Sequence, residues 1–438
     1  MTIPSTPLGL HFVPGDVLTA MERIHDAGFD VWIVGGALRD HLLGEAPKDW
    51  DLATAAGPAQ IMKIFPHVIP VGIRHGTVQI HTRTRDIEVT SFDPPGEAGI
   101  LKDLGRRDFT INAMALSFPG GVLIDPHGGR ADLDAGLIRG VGDSRSRFAE
   151  DPLRIVRAAR LSGIYGFAVD SKTFEAIREE SENLPKVSGE RVRDEFCKIL
   201  LSSHPIEAVD LLRKTWALGK LLPELAARDR IDTMQGSGMS IYRHSLLCVV
   251  NCPLRLRVRL AALFINAAVP AIGARGEKLP IEYRVASAAA AALRMKKWNM
   301  SNRRIRAVSV LIENQIPPGA EFWSDARIRR FIARVGPELL DDFAVLARAE
   351  RLARGVTDIE GIKTLLARMR QQLELAPPLR MDDLALGGKD IMGLLGIPPG
   401  PEVGRVLKEL FDHVLEDPGL NTREHLTDIV ERDFGGRK

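Results

Sequence analysis

Cysteine is scarce in this chain, because its 438 residues include only three, Cys197, Cys248 and Cys252. So few thiols exclude the disulfide framework of a small secreted protein, and we expect the chain to work in a reducing cytoplasm. Cys248 and Cys252 lie one helical turn apart in apolar sequence. Such a pair is more typical of ordinary core cysteines than of a metal site.

An excess of either charge is also missing, because 59 Lys and Arg residues face 57 Asp and Glu residues, and the net charge is only +2. This balance excludes a strongly basic nucleic-acid-binding protein, although it allows local basic patches. Long apolar runs are missing too, as is a charged leader followed by an apolar core. We therefore expect no membrane segment and no signal peptide.

What the chain does contain is the composition of a globular protein, with 45% hydrophobic and 26% charged residues and a length that suits more than one domain. Up to about residue 120, short β-rich runs alternate with amphipathic helical stretches. From about residue 170 onward the pattern is helical. The sequence thus predicts an α+β fold, in which a small N-terminal mixed sheet is followed by all-helical domains.

The chain is organised around the stretch from Val31 to Thr54, VWIVGGALRDHLLGEAPKDWDLAT. A strand-like run ends at Gly35 and Gly36, and a helical segment with Arg39 in its first turn follows. Glycines let a backbone approach a ligand closely, and N–H groups at a helix N-terminus attract phosphate. This order predicts a site for a nucleoside triphosphate rather than only a tight βα turn.

Two carboxylates, Asp49 and Asp51, end that stretch. On a strand, their spacing places both on one face. Such oxygen ligands suit Mg²⁺, and two ions roughly 3.5–4 Å apart would stabilise the attacking and leaving oxygens of an in-line displacement. We therefore predict Asp49 and Asp51 as catalytic metal ligands. Glu88, on the predicted strand Asp86–Phe92, is either a third carboxylate that helps to accept the proton of the attacking hydroxyl or a surface glutamate.

A predicted linker, Asp93–Gly105, leads into the stretch RRDFTINAMA. Its paired arginines, Arg106 and Arg107, precede a predicted helix and are suited to hold phosphate oxygens. Asp108 would cap that helix, and Asn112 would reach a ribose or phosphate. The alternative is a capped helix with solvated arginines.

A long helical pattern runs from Phe148 to Phe167. Asp151 and Arg154 are spaced to share one face of that helix, and Arg157 continues the row. A carboxylate beside a guanidinium presents an acceptor and donors to the Watson–Crick edge of a base. The alternative is an ordinary helix salt bridge, worth a few tenths of a kcal/mol.

Taken together, these motifs resemble the class II tRNA nucleotidyltransferases, the CCA-adding enzymes and bacterial poly(A) polymerases of the DNA polymerase β superfamily. The matching segments are GGALRD (Gly35–Asp40) with DWD (Asp49–Asp51), RRDFTINAMA (Arg106–Ala115), EDPLR (Glu150–Arg154) extended to Arg157, ERVRDEFCKIL (Glu190–Leu200) and the C-terminal GGKDIMGLLGIPPGPEVGRVLKELFDHVLEDPGLNTREHL. The resemblance covers most of the chain, and the joint occurrence of these motifs in order is highly specific.

The resemblance implies that Asp49 and Asp51 hold the catalytic Mg²⁺ ions and that Asp151 and Arg154 pair with the base of an incoming CTP or ATP. The other implied nucleotide contacts are Gly35, Gly36, Arg39, Arg106, Arg107, Asp108, Asn112 and Arg157. Four domains are implied as well: a catalytic head (residues 1–145), a neck for base recognition (146–205), a body with a degenerate HD-like region (206–378) and a tRNA-binding tail (379–438).

One departure from the family lies in the linker. Only Asp93–Gly105 separates the strand before it from the RRDFT motif, whereas related CCA-adding enzymes have an appreciably longer flexible loop there. That loop is associated with the switch from CTP to ATP. Without it, the arginine and aspartate that pair with the base would not be repositioned for the larger purine, and the pocket would continue to fit cytosine. The resemblance therefore favours a CC-adding enzyme, which stops after two cytidines and leaves the adenosine to a separate A-adding enzyme in the same cell.

A second departure lies in the middle of the chain. Tyr242–Ser245 and Arg259–Leu263 are similar to the metal-dependent HD phosphohydrolase domain that some members carry. Where that domain has its His-Asp pair, this chain has Ile265 and Asn266, and Val269 stands where a lysine is usual. These residues cannot build a binuclear metal site, and we expect no phosphohydrolase activity.

The leading interpretation is a template-independent tRNA 3′-terminal nucleotidyltransferase that uses CTP, with CC addition first and full CCA addition second. A poly(A) polymerase is an alternative, since the catalytic motifs are shared. A non-catalytic RNA-binding protein of the same fold is an alternative from another class, although the intact Asp49 and Asp51 argue against it. The expected partners are tRNA, CTP and, for full CCA addition, ATP, with Mg²⁺ as the cofactor.

Overall fold

The computed structural model describes residues 5–72, 76–229, 239–268 and 281–435. The chain forms two compact units, Met1–Leu221 and Leu222–Lys438. The finer division into head, neck, body and tail stays a prediction. His75, part of a turn predicted at His75–Thr77, and Val269 both lie outside the described residues.

The first unit is built on a sheet of eight strands. These strands are β1 (Ser5–Pro7), β2 (Val31–Val34), β3 (Trp50–Thr54), β4 (Val68–Gly72), β5 (Thr77–His81), β6 (Asp86–Ser91), β7 (Ala115–Ser117) and β8 (Val122–Ile124). They lie in the order β1-β8-β7-β2-β3-β6-β5-β4, and only β3 and β6 are parallel neighbours. A separate parallel pair joins β9 (Leu137–Ile138) to β10 (Ala168–Val169). The predicted mixed sheet is confirmed.

Helices cover and extend this sheet. They are α1 (Gly15–Asp26), α2 (Gly36–Leu42), α3 (Pro58–Ile64), α4 (Glu97–Leu104), α5 (Gly129–Asp134), α6 (Ser144–Glu150), α7 (Leu153–Tyr165), α8 (Ser171–Glu180), α9 (Gly189–Leu200), α10 (Pro205–Lys214) and α11 (Ala217–Leu221). In α1, for example, Val17, Met21 and Ile24 are fully buried at helical spacing, which is why the apolar pattern predicts this helix.

Strand β3 carries the key carboxylate at the centre of the sheet. Antiparallel pairing places Val34, the last residue of β2, opposite Asp51, and parallel pairing places Glu88 of β6 on the other side of Asp51. Because Gly35 follows Val34 directly, the glycine turn emerges beside Asp51. The register of β2, β3 and β6 thus brings the glycine turn, Asp51 and Glu88 together at the same end of these three central strands.

The segment predicted as a linker, Asp93–Gly105, contains the helix α4 instead. Ile100 and Leu104 of this helix are fully buried in an apolar cluster. Gly99 lies so close to the preceding chain that a Cβ there would be 1.6 Å from the carbonyl oxygen of Pro94. The Pro-Pro-Gly run favoured a loop, but the two apolar side chains one helical turn apart decide the structure.

The prediction of a helix after Arg107 is wrong. The chain makes only a 3₁₀ turn, Thr110–Asn112, before it enters β7. Because β7 pairs with β2 on one side and β8 on the other, tertiary pairing keeps this segment extended and overrides its local preference. Asp108 therefore caps no helix, and the N-cap residue of the short turn is Phe109, which directly precedes it.

The long helical pattern from Phe148 to Phe167 is broken in the structure, because α6 and α7 are separate helices on either side of Asp151 and Pro152. Asp151 is extended, with φ −142° and ψ 96°, since the ring of a proline disfavours helical geometry in the preceding residue. Asp151 and Arg154 therefore do not share one helical face, as their spacing had predicted.

The second unit is helical, as predicted. Its helices are α12 (Pro223–Ala226), α13 (Ile241–Val250), α14 (Leu256–Phe264), α15 (Ile281–Lys297), α16 (Asn302–Glu313), α17 (Asp325–Val335), α18 (Leu340–Ala353), α19 (Glu360–Glu374), α20 (Gly388–Leu395), α21 (Pro401–Glu416) and α22 (Arg423–Phe434). The pattern over Tyr242–Ala267, which predicted one helix, is divided around Pro253 into α13 and α14. No helix in the described ranges combines the length and the apolar composition that a membrane crossing requires.

Candidate active site

A cavity of about 390 Å³ lies beside the glycine turn between β2 and α2. Most of the residues predicted from the sequence line it, namely Gly35, Gly36, Arg39, Asp49, Asp51, Arg106, Arg107, Asp108, Asn112, Arg154 and Arg157. Glu88 and Asp151 were predicted but are not part of the lining, and Asp40 and Arg160 belong to it although the sequence did not single them out. Segments far apart in the chain thus meet around one space.

The glycine turn forms one wall of this cavity. Gly35 has φ +73°, a left-handed conformation that favours glycine. A Cβ at this position would lie 3.1 Å from Oδ2 of Asp51 and 3.1 Å from Nη1 of Arg107. The absence of a side chain therefore leaves open the space in which a ligand would reach both a carboxylate and a guanidinium.

Asp51 sits in an unfavourable environment for a negative charge. Burial raises the pKa of Asp51 to about 6, and the negative charges of Glu88 and Asp49 add to the rise. The positive charges of Arg107 and Arg39 oppose it. A bound cation would relieve the repulsion among the carboxylates, so the electrostatics at Asp51 are those expected of a metal ligand.

The donor groups at this point fit Mg²⁺. Within the described ranges, no three His, Cys, Asp or Glu side chains lie close enough to enclose a metal ion by themselves. Mg²⁺ does not need such a cage, because one or two carboxylates commonly hold it together with water and substrate phosphates. Asp49, exposed one residue before β3, and Asp51, partly buried within it, match that donor set. Whether Glu88 also binds a metal stays a prediction.

Arg39 is held in place at the cavity wall by three neighbours. Its Nη1 donates to Oδ1 of Asn112 at 2.5 Å, and its Nε and Nη2 donate to Asp40 at 3.1 and 2.8 Å. The hydroxyl of Tyr165 donates to the same Asp40 oxygen at 2.8 Å, and the Arg39 guanidinium lies 5.0 Å from the centre of the Tyr165 ring. Asp40 and Tyr165 thus orient Arg39. For Asp40, the sequence signal is its place at the end of GGALRD.

The helix α4 holds a second arginine of the cavity. Asp103 in that helix accepts hydrogen bonds from Nε and Nη2 of Arg107 at 3.1 and 3.0 Å. Arg107 is the guanidinium that faces both Gly35 and Asp51. The segment predicted as a linker therefore positions a residue of the site.

Asp108 supports the site from a buried position. Its Oδ2 lies 2.9 Å from Nη2 of Arg157, and its Oδ1 accepts from the Phe109 amide at 2.9 Å and from Nδ2 of Asn112 at 3.1 Å. Burial alone would raise the pKa of Asp108, but Arg157 and these hydrogen bonds hold it below its usual value. Asp108 is thus a charged anchor for Arg157 and Asn112.

Asp151 and Arg154, the predicted base-recognition pair, are joined only through the backbone, where the Arg154 amide donates to the Asp151 carbonyl oxygen at 3.1 Å, and their side chains bind other residues. The carboxylate of Asp151 accepts from Arg191 of α9 at 2.8 and 3.3 Å. Arg154 donates to the carbonyl oxygens of Arg147 and Arg106 at 3.1 and 3.0 Å. A direct Asp151–Arg154 salt bridge, the alternative interpretation, is not seen among the described residues.

Two further arginines belong to this arrangement but were missed. Arg160 extends the row of Arg154 and Arg157 along α7 and pairs with Glu195 at 2.8 Å. Burial lowers the pKa of Arg160, although the negative charge of Glu195 acts to raise it. The signal for Arg160 was the regular spacing of three residues. Arg191 stands in the matching segment ERVRDEFCKIL, but its contact with Asp151, 40 positions away, had no signal in the sequence.

The region that resembles an HD domain is a packed core. Nδ2 of Asn266 lies 3.1 Å from Nδ1 of His244, and burial lowers the pKa of His244 to about 4, so its ring is neutral at physiological pH. Cys248 and Cys252 are free and buried. No group of three or more metal-ligating side chains is found here within the described ranges, and the expected lack of phosphohydrolase activity stays a prediction.

Family models match three parts of the chain. A model described as the poly A polymerase head domain matches residues 31–139, one described as the probable RNA and SrmB-binding site of polymerase A matches residues 166–228, and one described as a putative tRNA nucleotidyltransferase domain 2 matches residues 282–430. The fold and the site together define a nucleotidyltransferase.

Relatives are similar over nearly the whole chain. The CCA-adding enzyme of Geobacillus sp. (strain WCH70) is 30% identical over 432 residues, which are 95% of this chain and 96% of that protein. The crystal structure of the Bacillus stearothermophilus CCA-adding enzyme in complex with CTP has a TM-score of 0.72 at 27% identity and covers 95% of this chain and 96% of its own. The chain therefore belongs to the class II tRNA nucleotidyltransferases, the family of the CCA-adding enzymes.

Proposed function

We propose that this chain adds CMP from CTP to the 3′ end of tRNA and stops after two additions. The observation that carries nucleotidyl transfer is the one cavity in which Asp49 and Asp51 meet a wall of arginines. Relatives named CCA-adding enzymes cover nearly the whole chain, which supports tRNA as the acceptor. In this reaction the terminal 3′ hydroxyl attacks the α-phosphate of CTP, a phosphodiester bond forms and pyrophosphate leaves.

The carboxylate end of the cavity would bind the reacting phosphates. Asp49 and Asp51 would hold Mg²⁺, which supplies electrostatic stabilisation of the charge that develops at the transferred phosphate. Arg39 and Arg107 would contact the triphosphate at the Gly35 turn, and acidic neighbours already hold both guanidinium groups. Donors fixed in advance need little rearrangement when the charge develops.

Base recognition would fall to Arg154 and Asp151. Arg154 lies in the cavity lining, while Asp151 is bound to Arg191. We expect Asp151 to exchange Arg191 for the amino group of cytosine, while Arg154 donates to the acceptors of the same base edge. A carboxylate and a guanidinium would then replace a nucleic-acid template.

The proposed stop after two cytidines is based on the segment Asp93–Gly105, which contains α4. α4 packs Ile100 and Leu104 into the core, and Asp103 ties the helix to Arg107. A segment with buried apolar side chains and a fixed ion pair opens less readily than an exposed loop, so it is poorly suited to reposition the site for ATP. Under this proposal a separate A-adding enzyme would complete the tRNA. Full CCA addition is the second candidate, because the relatives are named for it.

The decisive measurement uses a tRNA transcript that lacks its terminal CCA. Labelled nucleotides are supplied as CTP alone, ATP alone or both, and the products are resolved at single-nucleotide length. We expect a stop after two cytidines even with both nucleotides present, because the linker gives the cavity no means to accept a purine. A complete CCA end would assign the chain to the full enzyme, and no addition at all would contradict nucleotidyl transfer.

The raised pKa of Asp51 predicts a pH dependence. Asp51 must be ionised to hold a cation, so at low Mg²⁺ we expect kcat/KM for CTP to fall as the pH drops through about 6. Higher Mg²⁺ should move this fall to lower pH, because the cation competes with the proton.

The variant Glu88→Gln supplies the control for this pH dependence. It removes a negative charge that raises the pKa of Asp51, so it should also move the fall to lower pH. A profile that is flat through pH 6, or unchanged in this variant, would contradict the assignment.

A further inference from the structure

A larger cavity, of about 690 Å³, lies within the helical second unit. Its walls come from α15, α17 and α18 and from the connection between α16 and α17. This volume is in the range of small-molecule sites. It lies almost wholly within residues 282–430, which the putative tRNA nucleotidyltransferase domain 2 model matches, and none of the residues of the candidate active site lines it.

One side of this cavity is apolar and aromatic. Trp323 and Phe331 line it, and their ring centroids are 5.4 Å apart. Ile316 and Ala347 extend the same surface, and all four side chains are nearly buried. A surface of this kind suits a planar ring, because stacking and apolar burial act together.

The charged residues of the lining carry a net positive charge, although Arg354 is paired with Glu350. Arginines outnumber glutamates by five to three, the members being Arg284, Arg327, Arg334, Arg351 and Arg354 against Glu313, Glu321 and Glu350. An excess of positive charge around an apolar cavity favours a ligand that carries negative charge at one end.

Two of these arginines have an N–H group that makes no hydrogen bond. Nε of Arg284 and Nε of Arg354 are buried without a hydrogen-bond partner in the described structure. Arg284 donates only from Nη1, to the carbonyl oxygen of Gln315 at 3.3 Å. Burial lowers the pKa of Arg284, the negative charge of Glu350 opposes this change, and the positive charge of Arg334 adds to it. Buried donors without partners and neighbouring like charges are both costly, and a bound anion would relieve both.

We propose that this cavity binds a nucleoside phosphate, with the ring on the surface of Trp323 and Phe331 and the phosphate at Arg284 and Arg334. The ligand is a free nucleotide or one nucleotide unit of an RNA, since both present the same chemistry. The cavity is assigned as a binding site, and no reaction is assigned to it. The site is formed by the second unit alone and does not depend on the function proposed above.

The test measures binding of radiolabelled AMP to the full chain by equilibrium dialysis and maps the contact by photocrosslinking with 8-azido-AMP. The variant combines Arg284→Gln and Arg334→Gln, which removes the two charges proposed to hold the phosphate, and its Tm is measured to show that it folds. We expect crosslinks to Trp323–Arg334 in the wild type. In the variant we expect these crosslinks to be lost and Kd for AMP at this site to rise roughly 10- to 100-fold, as for the loss of charge-assisted hydrogen bonds.

The matched control is Arg348→Gln, because Arg348 is exposed on α18 and outside the cavity. It should bind and crosslink AMP as the wild type does. A tRNA transcript without CCA is then added as competitor: loss of the crosslinks identifies an RNA nucleotide as the ligand, and their persistence identifies a free nucleotide. Crosslinks confined to the first unit, or equal AMP binding by the double variant and the control, would overturn the proposal.

Discussion

Replacing Asp51 by asparagine is expected to lower CMP incorporation into tRNA by roughly 10³-fold or more. Asparagine keeps the shape of the side chain but removes the charge with which it would hold Mg²⁺. Several kcal/mol of electrostatic stabilisation are lost with that charge, and about 1.4 kcal/mol corresponds to a tenfold change in rate. The measurement is single-turnover incorporation of labelled CMP at saturating CTP, with enzyme in excess of tRNA.

The thermal stability of the Asp51→Asn variant shows whether its loss of activity is due to misfolding. The folded pKa of Asp51, about 6, is above its ordinary value of 3.8, so the native state binds the proton more tightly than the unfolded state. Stability is therefore lost as the pH rises from 3.8 to about 6, and the destabilising contribution is fully present at neutral pH. Asp51→Asn removes it, so the variant should have a higher Tm than the wild type at neutral pH.

Asp26→Asn is the matched control, since Asp26 is an exposed carboxylate at the end of α1 and outside the cavity. It should leave both the rate and Tm unchanged. Binding of tRNA by the Asp51 variant should also be close to that of the wild type, because the substitution acts on the reacting phosphates. Retained incorporation in Asp51→Asn would remove the metal assignment.

The parts of the fold that local pattern decides could be predicted from the sequence. α1 has a regular apolar stripe and ends before Gly28, and β2 is a short apolar run that ends at the glycine turn. In both, neighbouring residues carry all the information needed. The all-helical second unit follows from the same periodicity, and only the break at Pro253 divided a helix that the pattern had joined.

The parts that failed depend on contacts between distant segments or on one overlooked steric rule. β7 is a strand because β2 and β8 pair with it, and its own residues do not show this. The backbone of Asp151 is extended because a proline, Pro152, follows it. The spacing of Asp151 and Arg154 predicted a shared helical face only because this steric effect of proline on the preceding residue was overlooked. α4 was missed because a Pro-Pro-Gly run outweighed its two buried residues.

The candidate site shows the same division. The residue types that gather around the cavity were predicted because they stand in short motifs. Their partners were not, since Arg39 is oriented through Asp40 by Tyr165, which is 125 positions away from Asp40, and Asp151 is bound by Arg191, 40 positions away. Motifs thus predict which groups act, while the fold decides what holds each group before a substrate binds.

Gly35→Ala is expected to reduce kcat by roughly 10²-fold, the cost of small displacements of catalytic groups. The new Cβ would lie 3.1 Å from both Oδ2 of Asp51 and Nη1 of Arg107, so one or both groups must move. The added methyl group also occupies the space in which a phosphate would meet them. The measurement is single-turnover incorporation of CMP, with tRNA binding followed in parallel.

Gly44→Ala is a control that places a side chain at another positive φ. Gly44 has φ +77°, close to the +73° of Gly35, but a Cβ at Gly44 would meet no atom within 4 Å. Both variants place a side chain at a positive φ and should therefore lose stability, which Tm measures. Only Gly35→Ala should also lose activity, because only its Cβ enters the cavity. If the two variants lose activity equally, backbone strain explains the effect, and the glycine turn has no special role beside the carboxylates.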